Sequence, residues 1–151
     1  ARHKHCFLSI TKQGLVAIIK TKGNIDTHII LRGGESGPNY ESSYILNTEN
    51  ILKKSRIVPR IMVDCSHGNS GKNYKNQPMV CSNVCQQISN GNVSICGIML
   101  ESHIHEGKQQ LIMGNADKLI YGRSITDSCM DFETTKSVIK NVVLAVRERR
   151  A

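Results

Sequence analysis

The sequence predicts an α/β fold with parallel strands, and three apolar runs carry that prediction. Residues 28–31 run into Arg32-Gly33-Gly34, residues 60–65 into Ser66-His67-Gly68, and residues 93–100 into Glu101-Ser102-His103. Each is the length of an ordinary strand and ends abruptly in a polar group. Amphipathic stretches with helical spacing separate them. Parallel strands joined by helices gather their C-terminal ends on one face, and side chains there build sites while the strands themselves form core. Arg32, His67 and Glu101 are therefore expected to converge.

In chain order, residues 5–22 read as a hairpin, with strands at 6–11 and 15–20 and a link at Lys12-Gln13-Gly14. Gly23-Asn24 marks a turn. After the strand at 28–31 comes a glycine-rich loop, then a helix over 41–55 with Ile45, Leu46, Ile51 and Leu52 as its apolar face. Pro59 restarts the chain into the next strand. Pro78 suits the first turn of a second helix, whose stripe is Val80, Val84 and Ile88 with Cys81 and Cys85 alongside; Asn90-Gly91 ends it. The polar stretch 102–126 is long for a connection and so a candidate functional loop. Asp131 or Thr134-Thr135 caps a last helix over about 133–149, striped by Val138, Ile139, Val142, Val143 and Val146. The order is a hairpin, then strand and helix three times.

The chain has 151 residues, enough for one domain with a real core but short for a complete eight-stranded (β/α) barrel, which needs about 250. It starts at Ala1 and reads as a piece of something longer. A formal charge of +8 favours anionic partners. Aromatics are 4% with no Trp, and the basic residues are scattered, which argues against nucleic-acid binding. Six cysteines form no CxxC pair. Cys65, Cys81, Cys85 and Cys96 fall in predicted element interiors, as buried free thiols of a reducing cytosol. No signal peptide and no bilayer-length apolar run is seen, so no membrane association is expected.

Arg32 offers a fork of donors suited to phosphate or carboxylate, beside glycines that let backbone N–H groups approach an oxyanion. A surface arginine before a turn is an equally good reading. His67 is a metal ligand, a general base or a structural side chain; Glu101 is a ligand or a helix cap. Asp127 could add an oxygen donor, and a His/Glu/Asp set suits Mn²⁺, Fe²⁺, Co²⁺ or Zn²⁺ better than Mg²⁺ alone. His103 and His105 are expected to face solvent or support the site from outside.

Five motifs stand in a recognisable order: Ile29-Ile30-Leu31-Arg32-Gly33-Gly34, Pro38-Asn39-Tyr40, Met62 through Ser70 (MVDCSHGNS), Glu101 through Gly107 (ESHIHEG), and Tyr121 through Asp127 (YGRSITD). Together they resemble the class I, feedback-regulated 3-deoxy-D-arabino-heptulosonate 7-phosphate (DAHP) synthases, over essentially the whole chain. The resemblance implies the C-terminal part of a (β/α)8 TIM barrel, its last three βα units, preceded by an inserted hairpin. It implies condensation of phosphoenolpyruvate with erythrose 4-phosphate at a divalent metal ion. His67, Glu101 and Asp127 look like three of four metal ligands, and Arg32 like a residue that holds phosphoenolpyruvate. Phe7 and Ser9 look like residues of an effector pocket for an aromatic amino acid. A cytoplasmic homo-oligomer, completed by the N-terminal part of the barrel, is also implied. The family's fourth ligand, a Cys in a Gly-Pro-Cys motif, is absent here, as is the Lys-Pro-Arg-Thr motif of the phosphate pockets. A non-catalytic regulatory or assembly module derived from the enzyme is therefore the rival reading.

Overall fold

The computed structural model describes residues 1–114 and 116–151. Its α/β character follows the predicted order: β1 (Cys6–Ile10) and β2 (Val16–Lys20), then β3 (Ile29–Leu31), α1 (Ser42–Lys54), β4 (Ile61–Asp64), α2 (Gln77–Ser89), β5 (Ile95–Met99) and α3 (Phe132–Arg150). β1 and β2 form an antiparallel hairpin, Phe7 opposite Ile19 and Ser9 opposite Ala17. β3, β4 and β5 form a separate parallel sheet in that order.

The core lies between this sheet and the helices. Ile61, Val63 and Cys65 of β4 and its extension pack under Val80, Cys81, Val84 and Ile88 of α2. All seven are buried. The four-residue spacing of α2 puts its stripe on one face, and Pro78 stands in its first turn, where a missing N–H costs nothing. α3 is capped by Asp131, which accepts from the Thr134 N–H. Contact with the Cys65 sulfur and burial push the Cys81 thiol up, and burial beside Cys81 pushes Cys85 up to about 12. These thiols are uncharged core groups, as expected.

Three expectations need correction. Cys96 is exposed, because the pairing of β5 with β4 passes from Ile95 to Gly97 and leaves Cys96 out of the ladder. On α1, Ile45 and Leu52 are buried, but Leu46 and Ile51 are each 56% exposed. The inward stripe runs instead through Glu49, one turn from each buried residue. On α3, Val138 and Ala145 are buried while Ile139 and Val143 are exposed, since the stripe steps 135, 138, 142, 145.

Glu49 ties α1 to the approach of β5. It accepts from the Ser94 hydroxyl and from Asn92 Nδ2 at 3.0 Å, and pairs with Lys53 at 3.4 Å. Burial alone raises its carboxyl, but these donors outweigh it and hold the group below the usual range. Glu49→Ala is expected to cost about 2 kcal/mol, the worth of hydrogen bonds to a charged acceptor. Because the folded pKa is depressed, that stabilisation is present above the ordinary value of 4.5 and is lost as pH falls through the folded value. In urea melts the gap between parent and variant should be full at pH 7 and narrow as the pH is lowered below 4.5; equal stability at pH 7 contradicts the tie.

Candidate metal centre

The β4 strand ends in Asp64-Cys65-Ser66-His67, and the backbone then winds tightly. Ser70 N–H donates to Ser66 O, Gly71 N–H to Gly68 O and Lys72 N–H to His67 O. His67 itself has φ +44, a left-handed value that His tolerates better than most residues. The turn rests on β3 through two asparagines. Asn69 Nδ2 donates to Leu31 O and Asp64 O, Asn69 Oδ1 accepts from Asn39 N–H, and Asn39 Oδ1 accepts from Gly33 N–H. Gly33 (φ +78) lies against Gly68 so closely that a Cβ on it would sit 2.6 Å from the Gly68 carbonyl carbon.

The carboxylate of Asp64 is wholly buried. Its Oδ1 accepts from the Ser66 N–H (2.8 Å) and hydroxyl (2.6 Å), and its Oδ2 lies 2.7 Å from His67 Nδ1. An N–H at Nδ1 meets that carboxylate, and the Ser66 hydroxyl oxygen lies 2.7 Å from the same nitrogen. His67 Nε2 faces Glu101 Oε1 at 3.6 Å. One ligand atom from each of His67, Glu101 and Asp127 lies within 4.8 Å of the others.

Glu101 stands two residues past the end of β5 and is fixed by other means. Gln77, the fully buried first residue of α2, accepts the Glu101 N–H at 2.8 Å and donates Nε2–H to the Glu101 carbonyl at 3.1 Å. The Met130 N–H donates to the same carbonyl. Burial raises the Glu101 carboxyl above the usual range; His67 opposes this, and the charges of Asp127 and Asp64 reinforce it. Crowded carboxylates beside an imidazole nitrogen are a donor set that a divalent cation would relieve, so the residues fit a metal ion.

The described residues of the polar stretch 102–126 fold back and carry Asp127 to Glu101. His105 N–H donates to Gly122 O, and Gln109 N–H to Ser124 O. The Gln109 side chain bridges Ile120 and the Arg123 carbonyl. Asn115 falls outside the described residues. Arg32, Lys72 and Lys108 line the same cleft, of about 310 Å³, with His67, Glu101 and Asp127. Among the described residues none of the three cations is in an ion pair with an acidic side chain.

Arg32, His67, Glu101 and Asp127 thus come together. Phe7 and Ser9 do not join them: they share one face of the hairpin, Phe7 half exposed, outside the cleft. His103 and His105 are exposed. The sequence reading passed over Gln77, Lys72, Lys108 and the part played by Asp64. Asp64 had a usable signal, a carboxylate three residues before a histidine at a strand end. Gln77 had none, because its partners are backbone groups 24 residues away.

Residues 1–140 match the DAHP synthetase I family. The chain belongs to that family. A tyrosine-inhibited phospho-2-dehydro-3-deoxyheptonate aldolase of Schizosaccharomyces pombe is 51% identical over 150 residues, covering 98% of this chain and 40% of the relative. The Phe-sensitive aldolase of Escherichia coli K12 is 47% identical over 146 residues, covering 97% and 41%. The solved phospho-2-dehydro-3-deoxyheptonate aldolase of Francisella tularensis SCHU S4 superposes with a TM-score of 0.92 at 43% identity, over 100% of this chain and 43% of its own. The chain therefore spans about 40% of the length of these DAHP synthetase I relatives. No helix of the described residues is long and apolar enough to cross a membrane.

Proposed function

We propose that the protein carrying this segment is a DAHP synthase: it joins phosphoenolpyruvate to erythrose 4-phosphate and releases inorganic phosphate. The observation that carries this reading is an imidazole and two carboxylates gathered within 4.8 Å in one cleft with Arg32, Lys72 and Lys108. That combination suits a divalent cation beside a phosphorylated carboxylate, and the relatives named for this aldolase agree with it.

In the reaction, C3 of phosphoenolpyruvate bonds to the aldehyde carbon of erythrose 4-phosphate, water adds to C2, and phosphate departs from that carbon. His67 through Nε2, Glu101 and Asp127 would hold the metal ion, of the Mn²⁺, Fe²⁺, Co²⁺ or Zn²⁺ class. When bound, that ion supplies Lewis acidity toward an aldehyde or a water. Asp64 meets His67 at Nδ1 and leaves Nε2 turned to the cleft. Arg32 grips the phosphoenolpyruvate anion, with Lys72 and Lys108 adding positive charge around the developing negative charge.

The same reading makes this chain the last three βα units of a (β/α)8 barrel. The open edges of β3 and β5 are then closed by the N-terminal part, which also brings a first-strand cysteine as fourth ligand. The hairpin, with Phe7 and Ser9 on one face, takes an aromatic amino acid as effector in a cytoplasmic homo-oligomer. Relatives named tyrosine-inhibited and Phe-sensitive support an effector of that class.

The test is consumption of phosphoenolpyruvate by the full-length protein. Activity should vanish on chelation and return with Mn²⁺ or Co²⁺. Arg32→Ala should raise KM for phosphoenolpyruvate roughly 30-fold, about 2 kcal/mol for a lost charged hydrogen bond. Metal-replete protein that consumes no phosphoenolpyruvate overturns the reading in favour of a non-catalytic module.

A further inference from the structure

Glu101 is a ligand-bearing residue that the sheet does not hold. β5 ends at Met99, and the last ladder bond before the site is Cys65 N–H to Met99 O. Beyond that point the Met130 segment forms an isolated parallel bridge at Ser102 and its N–H reaches the Glu101 carbonyl, while Gln77 meets both backbone groups of Glu101. The Gln77 amide accepts the Glu101 N–H and donates to the Glu101 carbonyl. The orientation of the amide is fixed by these partners, since an N–H demands the oxygen and a C=O demands the nitrogen. Gln77 is fully buried, so its contacts face no competition from water. It is also the first residue of α2, whose stripe is locked into the core over β4. The chain from β4, which bears His67, is thereby tied through α2 to Glu101.

We infer that Gln77 is a positioning residue for the metal centre: its side-chain amide sets where the Glu101 carboxylate stands relative to His67 Nε2. The inference rests on the metal reading of His67, Glu101 and Asp127. A donor set performs only when its members are held to within about 0.5 Å, and a carboxylate on a free loop end loses that. Asp127 shares the arrangement, because Met130, three residues further on, donates to the same Glu101 carbonyl.

The test uses the full-length protein freed of metal and titrated with Co²⁺, followed by its visible absorption, with thermal unfolding recorded alongside. Gln77→Met keeps length and volume but removes both hydrogen bonds. It should raise the Co²⁺ dissociation constant about 10–100-fold, the usual worth of a group that supports a ligand, and should change the absorption band. Gln77→Glu keeps the acceptor for the Glu101 N–H and should lose less affinity than Gln77→Met. Should Gln77→Met fail to fold, Gln77→Glu measured against the parent carries the test. His67→Ala is run in parallel. If His67→Ala loses Co²⁺ while the Gln77 variants bind within twofold of the parent with an unchanged spectrum, the positioning role is overturned and the metal reading stands. If His67→Ala also binds as the parent does, the metal reading falls and the inference with it.

Discussion

His67→Ala in the full-length protein is expected to lose divalent-metal binding and, with it, turnover. The loss in affinity should exceed the roughly 10–100-fold that a merely supporting residue is worth, because the substitution removes a donor atom itself. His67 is also the member of the set whose chemistry is most constrained. Asp64 is wholly buried and lies 2.7 Å from Nδ1, which commits that nitrogen and leaves Nε2 as the one turned to the cleft. Alanine would further leave the Asp64 Oδ2 without its 2.7 Å partner, though Ser66 still satisfies Oδ1. Metal titration separates these effects from folding, which thermal unfolding reports. A variant that binds Mn²⁺ or Co²⁺ like the parent contradicts the ligand assignment.

The largest effect on stability is expected at Gly33. Its φ of +78 is a conformation that residues with a Cβ rarely take, and the added carbon would meet Gly68 carbonyl carbon at 2.6 Å and the Asn69 nitrogen at 2.7 Å. Both neighbours are backbone, in the turn that presents His67, so no side chain can swing aside. Strain from the dihedral and from overpacking each cost about 1–3 kcal/mol, so Gly33→Ala should destabilise by about 3 kcal/mol or more. The shift would also drive the β3 and β4 ends apart and weaken metal binding. Chemical denaturation checks the first expectation; a change below about 0.5 kcal/mol contradicts the close approach of the two loops.

Strand and helix periodicity made the element order readable, and the reason is local. Val80, Val84 and Ile88 are spaced by the helix itself, and residues 61–63 form their own run of apolar side chains. Errors arose where a tertiary partner decided the outcome. Glu49 took an inward position on α1 because Ser94 and Asn92 wait for its carboxylate, and nothing near residue 49 announces them. Cys96 is exposed because the ladder skips it, a matter of register between strands.

The site divides in the same way. His67 and Glu101 were legible as polar residues at strand ends. Asp127 came from its motif, since the chain between 102 and 126 had to fold back before its carboxylate could approach Glu101. Gln77 and Gln109 were silent, as each serves backbone groups of distant residues. Lys72 and Lys108 carry no local signal; only the folded cleft places them with Arg32.

The most direct test of the metal centre is anomalous diffraction from crystals of the full-length protein grown with Mn²⁺. The account predicts one strong peak bounded by His67 Nε2 and the carboxylates of Glu101 and Asp127, with Asp64 behind the imidazole at Nδ1. A peak elsewhere, or none at that position with Mn²⁺ present in excess, would contradict it.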